Sequence, residues 1–415
     1  MAADASPSGV EPRTGAAASR VTRARNADLL VFAVNGFIGA TWMSRLPDVK
    51  ATLDLTPGQL GLLLVAISVG ALTGLPLAGR LCHRLGAQRV VRLGATVALV
   101  GMVAAAIGVS AGWSLPAVMA GLYFVGLGSG TWDVAQNLEG TVIEQAQGRS
   151  VMPWFHAAFS GGTVLGAVVA IVTIQLGVPL LAHVLAVAVV SVAVVLWATA
   201  QFLPGVDAAH AVQAEAEAPT RHRSAWTEPR TLLIGVMVLA AAFTEGSAND
   251  WMAVAFVDGH GVSAAMGVFA LAVFLVFMTI GRIAGTSILD RHGRVPVLRV
   301  LFGCALLGSV LVVFGSTTLA YIGAAIWGIG ASLGFPVGMS AAADDPQRAA
   351  MRLSVVATIG YAAFLAGPAV IGFVGDYVGV LRALTVVGLV SVLALLVVPA
   401  ARPLPVGQHS DGPAA

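Results

Sequence analysis

The sequence has very little charge. Of its 415 residues, only 10% are Asp, Glu, Lys or Arg, while 58% are hydrophobic, and the mean hydropathy is +0.89. A soluble domain carries about 25% charged residues, which it needs to cover its surface in water. The composition therefore predicts an integral membrane protein and excludes an ordinary soluble domain.

Other residue types that are rare or unclustered in the sequence exclude further classes of protein. Lys50 is the sole lysine and no phosphate-binding loop ending in Gly-Lys-Ser/Thr occurs, so ATP is not expected to drive this protein. Two cysteines, Cys82 and Cys304, form neither a metal pattern nor a disulfide framework. The basic residues are scattered rather than clustered, so nucleic acid is not an expected partner. We expect no enzyme activity, no cofactor and no metal.

What the sequence has instead is a series of apolar runs near the 20 residues needed to cross a bilayer. Twelve predicted spans lie at 28–46, 59–80, 90–110, 115–137, 151–175, 179–203, 231–256, 264–287, 296–315, 318–341, 353–375 and 380–401. They predict an all-α membrane protein of twelve helices in two six-helix bundles, 27–203 and 230–402. The polar segment 204–229 is the predicted linker, and 1–26 and 403–415 are predicted tails.

The distribution of the basic residues among the loops predicts how the protein is oriented in the membrane. If the N-terminus is cytoplasmic, the inner loops and tails hold 19 basic residues, and the outer loops hold only Arg45, Lys50 and Arg382. Arg282 is counted among the inner residues. A multi-pass protein of the cytoplasmic membrane with both termini inside is therefore expected.

The two halves resemble each other. Val125-Gly-Leu-Gly-Ser-Gly matches Trp327-Gly-Ile-Gly-Ala-Ser, His156-Ala-Ala-Phe matches Tyr361-Ala-Ala-Phe, and Trp42-Met matches Trp251-Met, at offsets of 202 to 209. Similar offsets in the same order indicate a duplicated six-helix unit. Such repeats predict a substrate site between the halves and transport by rocking of one half against the other.

Charged and amide side chains within the spans indicate the transport site. Asp133 and Asn137 share one face of the fourth span, because residues four apart on a helix are neighbours. Ionisable groups inside a membrane usually line a pathway. Asp133 is the predicted proton-binding group; a static contact between the fourth and fifth spans is the alternative.

Two loops resemble a family signature. Gly79-Arg-Leu-Cys-His-Arg84-Leu-Gly86 and Thr286-Ser-Ile-Leu-Asp290-Arg291-His-Gly293-Arg294 are similar to the Gly-x-x-x-Asp-Arg-x-Gly-Arg loop of the major facilitator superfamily. The first copy departs at His83 and the second at Thr286. The resemblance implies a gating role for these loops in alternating access. Setting topology alone is the competing interpretation.

A narrower resemblance rests on three segments. Trp42-Met-Ser-Arg45-Leu-Pro, Asp133-Val-Ala-Gln-Asn137 with its continuation to Ser160, and Glu245-Gly-Ser-Ala-Asn249-Asp-Trp251 are similar to the fucose-permease-related branch and its rhizopine-cluster membrane proteins. Fucose permeases are proton-coupled sugar symporters with an essential carboxylate on the fourth span, and Asp133 sits similarly. The resemblance implies a small polar cargo, sugar-like or cyclitol-like.

The remaining candidates complete the predicted site. We expect proton coupling by Asp133, His156 and Glu245, and we expect substrate contacts from Asn35, Trp42, Asn137, Asn249, Trp251 and Tyr361. His156 satisfied by a backbone carbonyl, Asn35 in a helix–helix hydrogen bond, aromatics in an interfacial belt and Asp250 at the membrane interface are the alternatives. The expected protein is a monomeric proton symporter with a small solute, protons and lipid as partners. Proton-driven export of a metabolite or drug, and a non-transporting receptor, are the competing functions.

Overall fold

The computed structural model describes residues 15–148, 151–203, 224–345 and 348–404. The predicted tails and linker therefore lie largely outside the described residues. Within those ranges the chain is helical, without strands.

The helices are α1 (Gly15–Ser44), α2 (Leu46–Thr52), α3 (Pro57–Leu85), α4 (Ala87–Ser110), α5 (Leu115–Gln147), α6 (Met152–Gln175), α7 (Leu180–Thr199), α8 (Pro229–His260), α9 (Ala264–His292), α10 (Arg294–Phe314), α11 (Thr317–Ala331), α12 (Gly334–Ala342), α13 (Ala349–Val378), α14 (Val380–Ala383) and α15 (Thr385–Val397). Short 3-10 helices cover 225–227 and 398–401.

Eleven stretches of the described chain are helices long and apolar enough to cross a membrane. The fourth predicted span, 115–137, is α5, a continuous helix that is long enough to cross but is not among these eleven; it carries Asp133, Glu139 and Glu144. Glycines of α5 touch the backbones of α3 and α4, so α5 runs alongside two spanning helices. The predicted all-α architecture is confirmed.

Several helices are longer than the apolar runs that predicted them. Helix α1 begins at Gly15, inside the predicted tail 1–26, and α3 covers 57–85 where the sequence indicated 59–80. The tenth span is two helices, because the backbone departs from helical geometry at 332–333 between α11 and α12. Polar first and last turns extend a helix beyond its apolar segment, which hydropathy does not detect.

Local signals set several helix ends. Thr56 caps α3 in a capping box, with Pro57 as the first helical residue: the Thr56 hydroxyl accepts from Gln59 N, and the Gln59 side chain accepts from Thr56 N at 3.0 Å. Gly86 and Gly293 follow α3 and α9 with φ of 78° and 76°. A side chain at either position would be strained, which explains the glycine in both copies of the loop signature.

Glycines draw the helices of each half together. Gly126 lies against the Ile67 carbonyl of α3, and Gly328 lies against the Phe274 carbonyl of α9. Two residues further on the same helices, on the opposite face, Gly128 contacts Ala98 of α4 and Gly330 contacts Ala305 of α10. Equivalent glycines thus make equivalent contacts in α1–α7 and α8–α15, as small residues do between membrane helices.

Polar contacts close one side of the molecule, where the two groups of helices meet. We call the side on which α1 begins the terminal side, and the opposite one the distal side. On the distal side Lys50 Nζ lies 2.9 Å from Asp258 Oδ2, and Gly58 N donates to Asp376 Oδ1 at 2.8 Å. On the terminal side His156 and Thr358, in early turns of α6 and α13, are exposed. The molecule is closed on the distal side and open towards the terminal side.

Candidate functional site

A cavity of about 470 Å³ lies between the two helix groups, in the size range of small-molecule sites. Its polar lining includes Asn35, Ser68, Ser129, Asp133, Ser160, Thr163, Glu245, Asn249, Asp250, Arg282 and Tyr361. Leucines of α3 and α9, together with Met43, Ile67, Met278, Phe159 and Phe364, form its apolar walls.

Asp133 projects into this cavity from α5. The glycines at 126, 128 and 130 seat α5 against α3 and α4, and this packing leaves Asp133 on the exposed face. Gln136 Nε2 donates to Asp133 Oδ1 at 3.0 Å, and Asn137 Nδ2 lies 3.3 Å from the same atom. Both partners are neutral amides of its own helix, and within the described chain Asp133 forms no ion pair.

His156 lies near Asp133 without bonding to it. The two side chains interact electrostatically, but no hydrogen bond or ion pair joins them in the described part of the chain. The His156 ring packs edge-on against Phe32 at 5.6 Å and is exposed outside the cavity. The structure therefore shows neither the carboxylate–imidazole contact nor the static contact between the two spans.

Glu245 lines the cavity but is paired with a cation. Its Oε1 lies 2.7 Å from Arg282 Nη2, and both side chains are less than one-third exposed. Arg282 also reaches Ser160 Oγ at 3.4 Å and the Ser332 carbonyl at 3.3 Å. One guanidinium thus joins α6, α8, α9 and the end of α11 at the cavity.

The position of Arg282 differs from the one predicted from the sequence. It was assigned to an inner loop, yet it lies ten residues before the end of α9, inside the predicted span 264–287. In the sequence, this position is indicated by a charged residue within an apolar run. Asp250 is a second correction, because it lines the cavity rather than the membrane interface.

The predicted substrate contacts divide into two groups. Asn35, Asn249 and Tyr361 line the cavity, and Tyr361 interacts electrostatically with Asp133. Trp42 and Trp251 are 1% and 0% exposed and belong to the hydrophobic core, because their faces of α1 and α8 turn into their own helix groups. They are neither cavity nor belt residues.

Asn137 also lies outside the cavity lining. It is one turn below Asp133, where its Nδ2 donates to the Asp133 carbonyl at 2.8 Å. Its amide therefore contacts Asp133, and a contact of Asn137 with substrate stays a prediction.

The predicted gating loops lie on the terminal side, at the ends of α3 and α9. Arg84, Asp290 and Arg291 are exposed, and no ion pair involves them in the described chain. Gly79 lies within α3, with open space around the position of a side chain. The role of the loops stays a prediction.

Comparisons with known proteins agree with this geometry. Residues 29–349 match the model of the Major Facilitator Superfamily. An uncharacterised MFS-type transporter of Yersinia pestis is 32% identical over 90% of this chain and 94% of its own length. The membrane protein MosC of Rhizobium meliloti is 25% identical over 87% of this chain and 86% of its own length.

Solved transporters share the fold. The nucleoside transporter NupG has a TM-score of 0.70 at 16% identity, covering 92% of this chain and 99% of NupG. The xylose transporter XylE of E. coli, partially occluded and inward open, has a TM-score of 0.68 at 12% identity over 91% and 97%. The E. coli fucose:proton symporter FucP scores 0.60 at 16% identity over 92% and 98%. Membrane-length helices around a central cavity and a family match over residues 29–349 lead to one conclusion: the chain belongs to the major facilitator superfamily and is a membrane transporter.

Proposed function

We propose that this protein is a proton-coupled secondary transporter of a small polar solute, sugar-like or cyclitol-like, and that Asp133 is the group that binds the proton. The family carries small solutes across membranes, which fixes the general activity. The specific cargo and the coupling to protons are the parts that we infer.

One observation carries the proposal: of the cavity carboxylates, Asp133 on α5 and Asp250 on α8 pair with no cation in the described chain, and Asp133 is the exposed one. Glu245 is paired with Arg282, whereas Asp133 has only the amides of Gln136 and Asn137 as partners. A lone charge inside a membrane is costly unless it is neutralised. Binding a proton neutralises Asp133, so its protonation favours the conformations in which the cavity is sealed from water.

The lining supports a polyhydroxylated cargo. Asn35 and Asn249 face the cavity from α1 and α8, so amide donors and acceptors approach a bound solute from both helix groups. Tyr361 offers a ring face and a hydroxyl from α13. Hydrogen-bonding groups on opposite walls, with apolar surface between them, suit a ring that carries hydroxyl groups.

The sequence predicted proton coupling by Glu245. In this proposal Glu245 acts together with Arg282 in a structural ion pair instead. Their ion pair holds α8 to α9, and Arg282 also bridges to Ser160 on α6 of the other helix group. A cargo that competes for Arg282 would change a contact between the two groups. The pair therefore links occupancy of the cavity to the relative position of the groups.

The orientation proposed from the sequence is retained. The terminal side carries most of the arginines, so it faces the cytoplasm under the positive-inside rule. In that orientation the structure is inward-open. The protein then takes solute and proton from outside and releases both into the cell.

Transport assays with the purified protein in liposomes test the proposal. Uptake of a panel of pentoses, hexoses, cyclitols and nucleosides is measured with and without a pH gradient. For any solute that accumulates, we expect Asp133→Asn to abolish accumulation driven by the gradient while leaving exchange between inner and outer solute measurable. Proton binding is needed for uphill movement but not for exchange.

Asp54→Asn is the matched control, because Asp54 is exposed in the turn before α3 and the substitution is the same. It should transport as the wild type does. Full accumulation by the Asp133→Asn protein would overturn the assignment of Asp133.

Export by proton antiport is the second candidate, favoured by one feature of the same cavity. Its walls carry Leu64, Leu72, Leu75, Leu271 and Leu275, which suit an amphipathic compound. A single pH gradient, acidic outside the vesicles, separates the two functions. Under this gradient a symporter fills the vesicles with solute, whereas an antiporter empties vesicles that were preloaded.

A further inference from the structure

A second acidic site lies outside the cavity, in the interior of the N-terminal helix group. Asp28, on α1, is 0% exposed, and neither carboxylate oxygen has a hydrogen-bond partner. Its neighbours Ala24, Ala27 and Val31 are buried as well. Since an ionised carboxylate without any donor is among the costliest groups to bury, this position requires an explanation.

Glu139 of α5 is the acidic neighbour of Asp28. Glu139 is 4% exposed, and the two carboxyl groups interact electrostatically. Glu139 Oε1 accepts from Leu203 N at 2.8 Å, and no hydrogen bond to its Oε2 is present in the described chain. Two buried carboxyl groups of the same sign thus lie together without an ion pair to either in the described ranges.

Other charged groups near this end of α1 are engaged elsewhere. Glu144 of α5 accepts from Val151 N and Met152 N, at 2.7 and 2.9 Å, and Arg25 of α1 binds the Asn26 side chain. Arg92 of α4 donates to Thr199 at the end of α7. Arg23 of α1 is exposed, and His156 of α6 interacts with Asp133. The described charges therefore leave Asp28 and Glu139 without a counterion.

In the described chain no donor reaches either oxygen of Asp28. Gln136, one turn from Glu139 on α5, is 0% exposed; its Nε2 donates to Asp133 while its Oε1 is unpartnered. The two Asp28 oxygens and Gln136 Oε1 are thus buried acceptors without a hydrogen-bond partner in the described chain; Trp132 Nε1, on α5, is a buried donor that reaches none of them. A carboxylate only accepts, whereas a carboxylic acid also donates, so one bound proton supplies the missing donor and removes the like-charge repulsion.

We propose that Asp28 and Glu139 form a second proton-binding site, in which one proton is shared between the two carboxyl groups. A hydronium ion of the solvent gives its proton to one carboxylate oxygen and leaves as water; the resulting O–H donates to the other carboxyl group, and the pair carries a single negative charge. Gln136, which donates to Asp133, lies one turn from Glu139 on α5, so the pair and the cavity carboxylate are on the same stretch of helix.

Infrared spectroscopy of the full-length protein in liposomes, without solute, tests the proposal. At neutral pH the wild type should show a C=O band of a protonated carboxyl group that shifts slowly in D2O, because the site is sealed from water. The band should be lost in Asp28→Asn and in Glu139→Gln. It should persist in Asp133→Asn, whose missing carboxyl group faces the cavity and exchanges quickly.

This design separates the two proton sites. The band in the Asp133→Asn protein reports on the pair alone, whatever transport assays show for Asp133. Undiminished bands in both pair variants would overturn the proposal. So would a wild-type protein without any slowly exchanging carboxyl band at neutral pH, a measurement that needs no variant to fold.

Discussion

Four charged side chains determine the chemistry of the described cavity. Asp133, Glu245 and Asp250 contribute three carboxyl groups, and Arg282 is the cation that lines the described cavity. Arg282 is paired with Glu245, so it does not neutralise Asp133 on α5, and we expect Asp133 to be the group that gains and loses a proton. The Glu245–Arg282 pair, which joins α8 to α9, is a contact that a solute could displace. The arrangement favours neutral or cationic solutes over anions.

The first prediction at this scale concerns that ion pair. Arg282→Gln leaves Glu245 as an unpaired carboxylate in the membrane interior, and removal of a charged hydrogen-bond partner costs about 1.5–3 kcal/mol. We expect a lower melting temperature for Arg282→Gln and, separately, for Glu245→Gln. Thermal unfolding in detergent, followed by size-exclusion chromatography, measures both.

The double variant Glu245→Gln/Arg282→Gln provides the control. It removes both charges together, so part of the lost stability should return. Additive losses in the double variant would show that the pair is not what holds α8 to α9.

Residue-level prediction from the sequence succeeded where the residue type was unusual for its surroundings. Asp133, Asn35, Asn249 and Tyr361 were assigned to the cavity on that basis, and they line it. Trp42 and Trp251 are apolar residues in apolar helices, so nothing in the sequence states which way those helices are rotated. Burial against a neighbouring helix depends on tertiary packing.

At the scale of helices, the two halves share a scaffold but differ in chemistry. Gly126 and Gly328 bring α5 onto α3 and α11 onto α9 through the same kind of backbone contact. Only α5 continues as one helix and carries Asp133; its counterpart is interrupted between α11 and α12. The duplicated unit therefore supplies packing, and the acidic groups of α5 belong to one copy.

Substitution of these glycines gives the second prediction. In Gly126→Ala and Gly328→Ala, the new Cβ would overlap the carbonyl of Ile67 or Phe274, and overpacking costs about 1–3 kcal/mol. We expect both variants to melt several degrees below the wild type in detergent.

Gly161→Ala is the matched control on α6, where no atom lies within 4 Å of the new Cβ. It should melt at or slightly above the wild-type temperature, since alanine favours a helix over glycine by about 0.5–1 kcal/mol. Equal destabilisation of all three variants would remove the packing argument.

Helix positions were predictable because span length and hydropathy are local properties. The capping box at Thr56–Gln59 and the glycines at 86 and 293 also act locally, and the structure has the helix ends that they indicate. The interruption at 332–333 has a local signal as well: Pro336 lacks the N–H that would bond the Ser332 carbonyl, and its ring crowds that carbonyl. The Ser332 carbonyl accepts from Arg282 Nε instead, a contact that the sequence does not indicate.

At the scale of the whole molecule, the conformational state depends on contacts between the two groups. Such contacts join residues some 200 to 300 positions apart, as in Lys50–Asp258 and Gly58–Asp376. Neither pair has a signature in the sequence, which is why the repeat predicts alternating access but not which side is open.

The Gly58–Asp376 contact combines a hydrogen bond with a helix terminus. Gly58 lies in the first turn of α3, so the Asp376 carboxylate of the other helix group sits at the positive end of the α3 dipole. Such an interaction contributes about 0.3–2 kcal/mol. It exists only while the distal side is closed, so it biases the conformational equilibrium.

Removing this contact should therefore open the distal side. In Asp376→Ala, loss of about 1 kcal/mol shifts the equilibrium roughly fivefold towards the state that is open on the distal side. Spin labels at Thr52→Cys and Thr318→Cys, both exposed on the distal side of opposite groups, measure the change as a growing population at longer distance. Asp54→Asn should leave the distribution unchanged, since Asp54 forms no contact with the other group in the described chain. A distribution in Asp376→Ala identical to that of the wild type would mean that the α3 cap does not hold the distal side closed, and that the packing of Gly61 against Gly372 suffices.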